Sequence, residues 1–335
     1  MKQQRQRRKT LWGIGLAIVV VGLVLWMVPS RAVAIAPGVT GNLAQMVRVK
    51  GAPVKGKGRM MMVAVQIMPL NALQYLIEHV DPNVKIISDR TAMGGMDFSQ
   101  YEKINQMMME QSQMAAEIAG ERLAGLPAQL KKYPGALVVS VIKNSPAQHH
   151  LQAGDIITRI GTKPVSSPQS IPLLLRPYAY GQRIALTVKK RKGGQPHTVW
   201  ITLSPSKKKK LGIVAAAVEQ AQIPRPVTIH SQGIGGPSAG LMFSLEIYRQ
   251  ISGKNLARGR TIAGTGAITP SGQVQPIGGV QQKVITVHRS GASIFLVPAA
   301  NYAAAESMAR RKGYTHFTVY PVHTLQQACE ILEKH

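Results

Sequence analysis

The sequence predicts an α+β protein that also holds a mostly-β domain, carried behind one apolar N-terminal helix. Three observations lead there. A basic decapeptide precedes an uncharged apolar stretch from Leu11 to Pro29; short β-rich runs fill the chain between about Tyr133 and Ser204; strand-like and helical patterns alternate beyond that block. Alternation of this kind belongs to α/β or α+β layers, and β-rich runs separated by turn residues belong to a small sheet domain.

Residues 1–10 carry Lys2, Arg5, Arg7, Arg8 and Lys9 and no acid. A helix rising ~1.5 Å per residue needs ~20 apolar residues to cross ~30 Å of hydrocarbon, a length that residues 11–29 just reach. They read as a transmembrane anchor with the basic tail in the cytoplasm and Trp12 and Trp26 near the two interfaces. A cleaved secretory peptide is the alternative, with Ala32-Val33-Ala34 as a small-x-small site. Both readings place the rest of the chain outside the cell.

Residues 30–58, rich in Gly, Pro and Lys, read as a loose tether. Residues 59–128 hold a buried strand from Arg59 to Met68, then a helix from about Tyr101 to Leu123, whose Met107 to Met109 and Met114 suit core packing. The runs ALVVSVI, DIITRI, RIALTVKK and HTVWITL mark residues 129–206 as the small β-domain. Residues 207–335 carry the alternating strand and helix patterns, with the run Lys207 to Lys210 as a solvated linker at their start.

Composition removes several function classes. The single cysteine, Cys329, lies in the amphipathic run TLQQACEIL, where it reads as a small buried hydrophobe. No intrachain disulfide and no cysteine nucleophile are expected. Forty-one Lys and Arg against fourteen acids give a net charge of +27, enough for a strong field. With 5% aromatic residues and no nucleic-acid motif, that charge points to an anionic membrane or cell-wall polymer and away from nucleic acid. Gly51 to Lys57 has the glycine spacing of a phosphate loop, but Gly58 stands where Ser or Thr is required. Ser206 opens a formal S-x-x-K inside the charged linker and reads as a decoy. No cofactor and no metal are called for.

The runs G-A-L-V-V-S-V-I-K-N-S-P-A, from Gly135, and L-Q-A-G-D-I-I-T-R-I, from Leu151, resemble a bacterial PDZ domain. The resemblance implies capture of extended polypeptide by strand addition to an open sheet edge. No G-L-G-F-like carboxylate loop precedes these runs, so binding of C-termini, binding of internal segments and a purely positioning role all stay open.

The run Q-G-I-G-G-P-S-A-G-L-M-F begins at Gln232. Its glycines give a turn, Pro237 suits a first helical position, and an amphipathic pattern follows. Ser238 would then sit at a helix N-terminus, whose free N–H groups and dipole favour developing negative charge. Taken alone, Ser238 is better served by the plain role of helix cap. What changes the reading is R-T-I-A-G-T-G-A-I-T-P-S-G-Q-V-Q-P-I-G-G-V-Q-Q-K-V, from Arg260 to Val284.

Together the two runs resemble the Lon proteolytic domain. That family's serine lies in P-S-A-G and its lysine shortly after P-I-G-G, which maps onto Ser238 and Lys283, 45 positions apart. The resemblance implies a Ser-Lys dyad, with Ser238 as nucleophile and Lys283 as general base. It also implies an orienting role for Thr265 in A-G-T-G-A; family members often carry Glu where this chain has Ala267. A lysine serves as base only when neutral, so its pKa of ~10.4 must fall by perhaps 3 units through burial. Val280, Val284 and Val287 are candidates to line that pocket. The backbone N–H groups of Ser238 and Gly235 are the expected oxyanion donors, since Pro237 has none to give. His230 has no companion Asp for a Ser-His relay.

Anchor, PDZ-like domain and Lon-like domain in this order resemble the PDZ-containing Lon-like proteases of Gram-positive bacteria, a family with pheromone-processing members; the resemblance implies that the PDZ-like residues 129–206 are inserted, with residues 59–128 as the N-terminal part of the Lon-like domain that residues 207–335 complete. The expected function is an ATP-independent extracytoplasmic serine endopeptidase, anchored in the cell membrane by one span. It would cut secreted or membrane-associated peptides and proteins; homo-oligomerisation through the Lon-like domain is left open. The competing expectations are a catalytically silent, membrane-tethered PDZ adaptor and a surface-polyanion binder.

Overall fold

The computed structural model describes residues 2–52, 56–191, 193–204 and 211–334, with side chains from Leu11 onward. The linker run Lys207–Lys210, Ser206, and Pro53 to Lys55 of the phosphate-loop decoy lie outside the described residues. Helix α1 spans Lys2–Met27, and strand β1, Pro29–Asn42, begins almost at once. The helix stops there because the residue before a proline is disfavoured in α geometry.

The expected span of 11–29 is therefore shortened at its end. Among the described residues no helix is long and apolar enough to cross a membrane. At ~1.5 Å per residue, Leu11 to Met27 covers about 25 Å of a ~30 Å layer.

The loose tether expected over 30–58 is corrected as well. Most of its first half is β1, which pairs antiparallel with β2, Arg59–Asn71, and with β3, Lys85–Ser88. Its Gly and Pro residues sit where β1 bulges: the register shifts between Pro37 and Thr40, and a Cβ on Gly38 would lie 2.6 Å from the Ala64 carbonyl oxygen. Between β2 and β3 lies the short helix α2, Ala72–Glu78, and after β3 comes the long helix α3, Phe98–Leu123.

The second sheet has six strands, of which the two-residue Lys163–Pro164 lies off the main path; the other five are β4 Gln129–Val141, β5 Asp155–Ile160, β6 Arg183–Lys190, β7 His197–Thr202 and β8 Ile213–Gln222, with helix α4 Ser170–Leu175 between β5 and β6. Their order is β8-β4-β5-β6-β7. The β-domain expected to end at 206 thus extends to Gln222, because β8 pairs with β4 along its length. Sequence texture placed the LGIVAAAV run with the alternating region that follows; its hydrogen bonds place it here.

The chain returns with α5 Gly240–Ser252, β9 Thr261–Gly264, α6 Val280–Ser290, β10 Ile294–Pro298, α7 Tyr302–Arg311, β11 Thr318–Val322 and α8 Leu325–Lys334. The main sheet runs β11-β10-β9-β2-β1-β3. Strands from before and after the second sheet lie side by side, β9 pairing parallel with β2, so the β-domain is an insertion into the larger one.

Side chains alternate across the main sheet with period two. Met60 and Met62 of β2 and Ile294 and Leu296 of β10 face one core with α5 and α8; Met61, Val63, Phe295 and Val297 face another with α6 and α7. Apolar residues on both faces are what a sheet covered by helices on both sides requires. Met109, Ala115, Ala116 and Ala119 of α3 enter the first core, whereas Met108 points outward at 40% exposure. α3 and α5 cross closely at Gly120, where a Cβ would meet the Ser244 carbonyl oxygen at 2.8 Å. Cys329 is buried, as its small apolar role requires.

Candidate active site

Two glycine-dependent turns bring the site together. Gly279 takes φ +69° at the entrance of α6, a conformation that side chains resist, and a Cβ there would lie 2.9 Å from Val65. This is the local reason a P-I-G-G run sets the register of the following lysine. One turn later, Lys283 points into the core between α6 and β2 and is 1% exposed.

The second turn comes before α5. Gly236 has φ +82° and donates its N–H to the Asn105 carbonyl on α3 at 2.8 Å. Pro237 opens a turn closed by Gly240 N–H to the Pro237 carbonyl at 3.2 Å, and that carbonyl also accepts from Ser112 Oγ of α3 at 2.8 Å. The helix begins at Gly240 with Ala239 as its N-cap and no side-chain cap. Pro237 is therefore not the first helical residue, and Ser238 does not cap the helix.

The Ser238 side chain is engaged elsewhere. Lys283 Nζ lies 2.8 Å from Ser238 Oγ, 2.8 Å from Thr265 Oγ1 and 2.7 Å from the Val63 carbonyl oxygen. Thr265 is itself buried and donates its hydroxyl to the Ser238 carbonyl at 3.1 Å, which also accepts from Gly266 N–H at 2.7 Å. Burial alone pushes the Lys283 ammonium down from near 10.5 to about 7.

The proton count then decides what the cluster can do. A neutral amine has two N–H donors and one lone pair. The Val63 carbonyl can only accept, and the Thr265 hydroxyl, already donating to Ser238 C=O, also accepts. Those two partners take both N–H groups. The lone pair is left for the Ser238 hydroxyl, which donates its proton along the 2.8 Å contact.

Ser238, Lys283 and Thr265 are thus brought together. Val280, Val284 and Val287 are buried in the core under the same helix, with Val63 of β2 beside them. The N–H groups of Ser238 and Gly235 have no hydrogen-bond partner among the described residues. His230 is not brought in: it is exposed, and its backbone N–H is held by the Met46 carbonyl at 2.8 Å.

Sequence reasoning missed three supports: the Val63 carbonyl, Ser112 and Asn105. Main-chain acceptors leave no residue-type signal, and Ser112 lies in a helix that reads only as a helix. Beside Ser238 runs a groove of about 450 Å³ lined by Ala64 to Ile67 of β2, Tyr101, Glu102 and Asn105 of α3, and Gly233 to Gly235.

If Thr265 fixes the direction of the lysine lone pair, Thr265→Val should cut kcat roughly 10- to 100-fold, the worth of one buried hydrogen bond, while Thr265→Ser keeps most of it. Steady-state peptide hydrolysis by the two variants is the check.

Residues 198–333 match the Lon protease (S16) C-terminal proteolytic domain, and residues 105–203 match the PDZ domain. The chain is similar to the Lon protease of Buchnera aphidicola subsp. Schizaphis graminum, 32% identical over 131 residues, which cover 39% of this chain and 16% of that protein. It is also similar to Lon protease 1 of Sorangium cellulosum, 32% identical over 120 residues, covering 36% and 14%. The match thus spans about a sixth of the length of these relatives. Among solved structures, the PDZ domain of the SdrC-like protein from Listeria monocytogenes shares 28% identity, covers 25% of this chain and 90% of that one, and has a TM-score of 0.22.

Proposed function

The chain carries a Lon-type proteolytic domain at residues 198–333 and a PDZ domain at residues 105–203, and from that premise we propose that it is a membrane-anchored serine endopeptidase in which Ser238 attacks with Lys283 as its base. The observation that carries the reading is the fully buried Lys283 amine, 2.7 Å from the Val63 carbonyl oxygen and 2.8 Å from both Thr265 Oγ1 and Ser238 Oγ, so that in its neutral form the first two take its N–H groups and its lone pair is left for Ser238.

In the first step the Lys283 lone pair takes the Ser238 proton as Oγ bonds to the peptide carbonyl carbon. The unspent N–H groups of Ser238 and Gly235 receive the oxyanion. The Lys283 ammonium then protonates the leaving amine as the C–N bond breaks, and the acyl group stays on Ser238. Water, deprotonated by the again-neutral Lys283, releases the acid and restores the serine. The cycle consumes one water and no nucleotide.

The sheet supports a substrate lying extended in the groove. β9 pairs with β2 only from Arg59 to Met62, so from Val63 on that edge of β2, next to Ser238, has no strand beside it among the described residues. A polypeptide can add there as a strand.

The PDZ domain offers a second edge. β8 is the outer strand of its sheet, entered through Leu211-Gly212-Ile213, whose Leu211 and Gly212 carbonyls accept the Ala147 and Ile142 N–H groups. Capture of substrate polypeptide at β8 is the role proposed for this edge. The N-terminal basic run before an exposed apolar helix supports a cytoplasmic N-terminus with both domains outside.

The deciding experiment is labelling with a serine-directed phosphonate. Wild-type protein should be modified at Ser238 with an acid limb near pH 7, and Lys283→Met should not react. Absence of labelling with retained peptide binding would instead favour the silent adaptor.

A further inference from the structure

The exposed large apolar side chains of the described residues are not scattered. Most lie on α1 and its exit, from Leu11 to Val28, and beside them Leu76, Ile77 and Val80 are 56%, 58% and 80% exposed. The two groups are contiguous: the Ala72 N–H that begins α2 donates to the Val28 carbonyl at 2.8 Å. α2 has a complete capping box from Asn71 and Gln74, yet none of its side chains is buried. Isolated helices shorter than ~12–15 residues are marginal in water, and this seven-residue helix half-buries Leu73 and Tyr75 on one face while Leu76 and Ile77 on the other have no cover among the described residues. Contiguous apolar surface of this kind marks an interaction site. Trp26 stands exposed near the junction, and Tyr75 lies against His79 with ring centroids 5.6 Å apart, amphipathic rings of the kind that favour a lipid–water boundary.

We propose that α2 lies in the lipid–water interface beside the emerging end of α1, which holds the active groove close to the bilayer and directs it to the juxtamembrane segments of membrane-tethered polypeptides. The proposal rests on the membrane-anchor reading above. The bilayer is the occupant because the apolar face of α2 continues that of α1 without a break. The strands then set the reach. β1 leaves and β2 arrives at this junction, where Pro29 pairs with Asn71. From Leu70 to Val63, whose carbonyl holds Lys283, β2 covers at most about 23 Å at ~3.3 Å per residue. Whatever the tilt of the domain, the dyad lies no farther than that along the strand from the interface. A polypeptide held at the membrane by a lipid or a helix brings its nearest segments into that zone; one without a lipid contact does not.

The test uses the full-length chain in phosphatidylcholine/phosphatidylglycerol vesicles. Leu76→Cys, Ile77→Cys and Val80→Cys are each labelled with a nitrobenzoxadiazole dye, alongside Leu23→Cys on α1 and Val214→Cys on the outer strand of the PDZ sheet. The native Cys329 stays unlabelled, being buried with its thiol pushed up to about 12. The expected result is that labels at 76, 77 and 80 are quenched by lipid-borne nitroxides as the label at 23 is, whereas the label at 214 is quenched by aqueous iodide. Labels at 76, 77 and 80 that follow 214 while 23 stays in lipid overturn the placement of α2 and leave the anchor standing. A label at 23 that is itself aqueous overturns the anchor and this proposal with it. Shielding of the α2 labels from both quenchers means that a second copy covers the face, and overturns the proposal too.

Discussion

Ser238→Ala is expected to lower kcat by about 10⁴-fold or more, and adding Lys283→Met to it to lower kcat no further. The reason is the shared proton. Lys283 has no other acidic or basic partner among its contacts: its neighbours are two acceptor oxygens and the serine hydroxyl. A base without its nucleophile does nothing, and a hydroxyl without its base attacks at the rate of an ordinary alcohol. Residues that act as one unit give grossly non-additive losses, and single loss of a nucleophile in a serine protease costs about as much as loss of the whole constellation. Lys283→Arg belongs in the same series, because a guanidinium keeps its charge at any working pH and has no lone pair to offer. The measurement is single-turnover cleavage of a quenched fluorogenic peptide by five proteins: wild type, Ser238→Ala, Lys283→Met, the double variant and Lys283→Arg. Multiplying losses in the double variant would mean that the two residues act independently, and the dyad would be wrong.

The contact between Ser238 and Lys283 was legible because two sequence runs carried it jointly. P-S-A-G without P-I-G-G is a turn before a helix, for which capping is the ordinary expectation; the structure shows Ala239 in the cap position and Ser238 turned to Lys283. Thr265 was legible for the same reason, from its run between the two. The Val63 carbonyl was not. It belongs to a strand some 200 residues away in sequence, and its importance comes from being where β9 stops pairing and a carbonyl is left free to meet the lysine. Nothing in the letters R-M-M-M-V-A-V marks the fifth of them.

The two misread segments have related causes. Gly and Pro in residues 30–58 suggested a tether, but in β1 they serve a bulge and a close approach to Ala64, which composition cannot tell from looseness. The LGIVAAAV run was assigned forward because a charged linker precedes it. Its pairing with β4 shows that the inserted domain borrows its outer strand from beyond the linker. Strand partnership across an insertion is a property of the closed sheet, and local texture does not record it.

The pH dependence of the enzyme tests the one physical condition on which the mechanism depends. With Lys283 at about 7, roughly half of the molecules hold a neutral amine at pH 7 and roughly a tenth at pH 6. kcat/KM should therefore fall about tenfold per unit below an acid limb near pH 7 and level off above it. An acid limb left near 10.5 would mean a solvated lysine and would remove the base.

The same depression should appear in stability, with a definite sign. The unfolded chain carries Lys283 at its ordinary value near 10.5, above the folded value of about 7. Between those limits the unfolded state binds the extra proton, so folding stability rises with pH, by up to ~1.4 kcal/mol per unit and by about 5 kcal/mol across the window. Below pH 7 both states are protonated and the contribution is flat, at its most unfavourable. Lys283→Met has no such term. Hydrogen exchange of the α6 amides, compared between wild type and Lys283→Met at each pH so that intrinsic exchange cancels, should show wild-type protection gaining on the variant from pH 7 to 10. The residue that makes the site a base is, on this account, the one that weakens the fold most at the pH where the enzyme begins to lose activity.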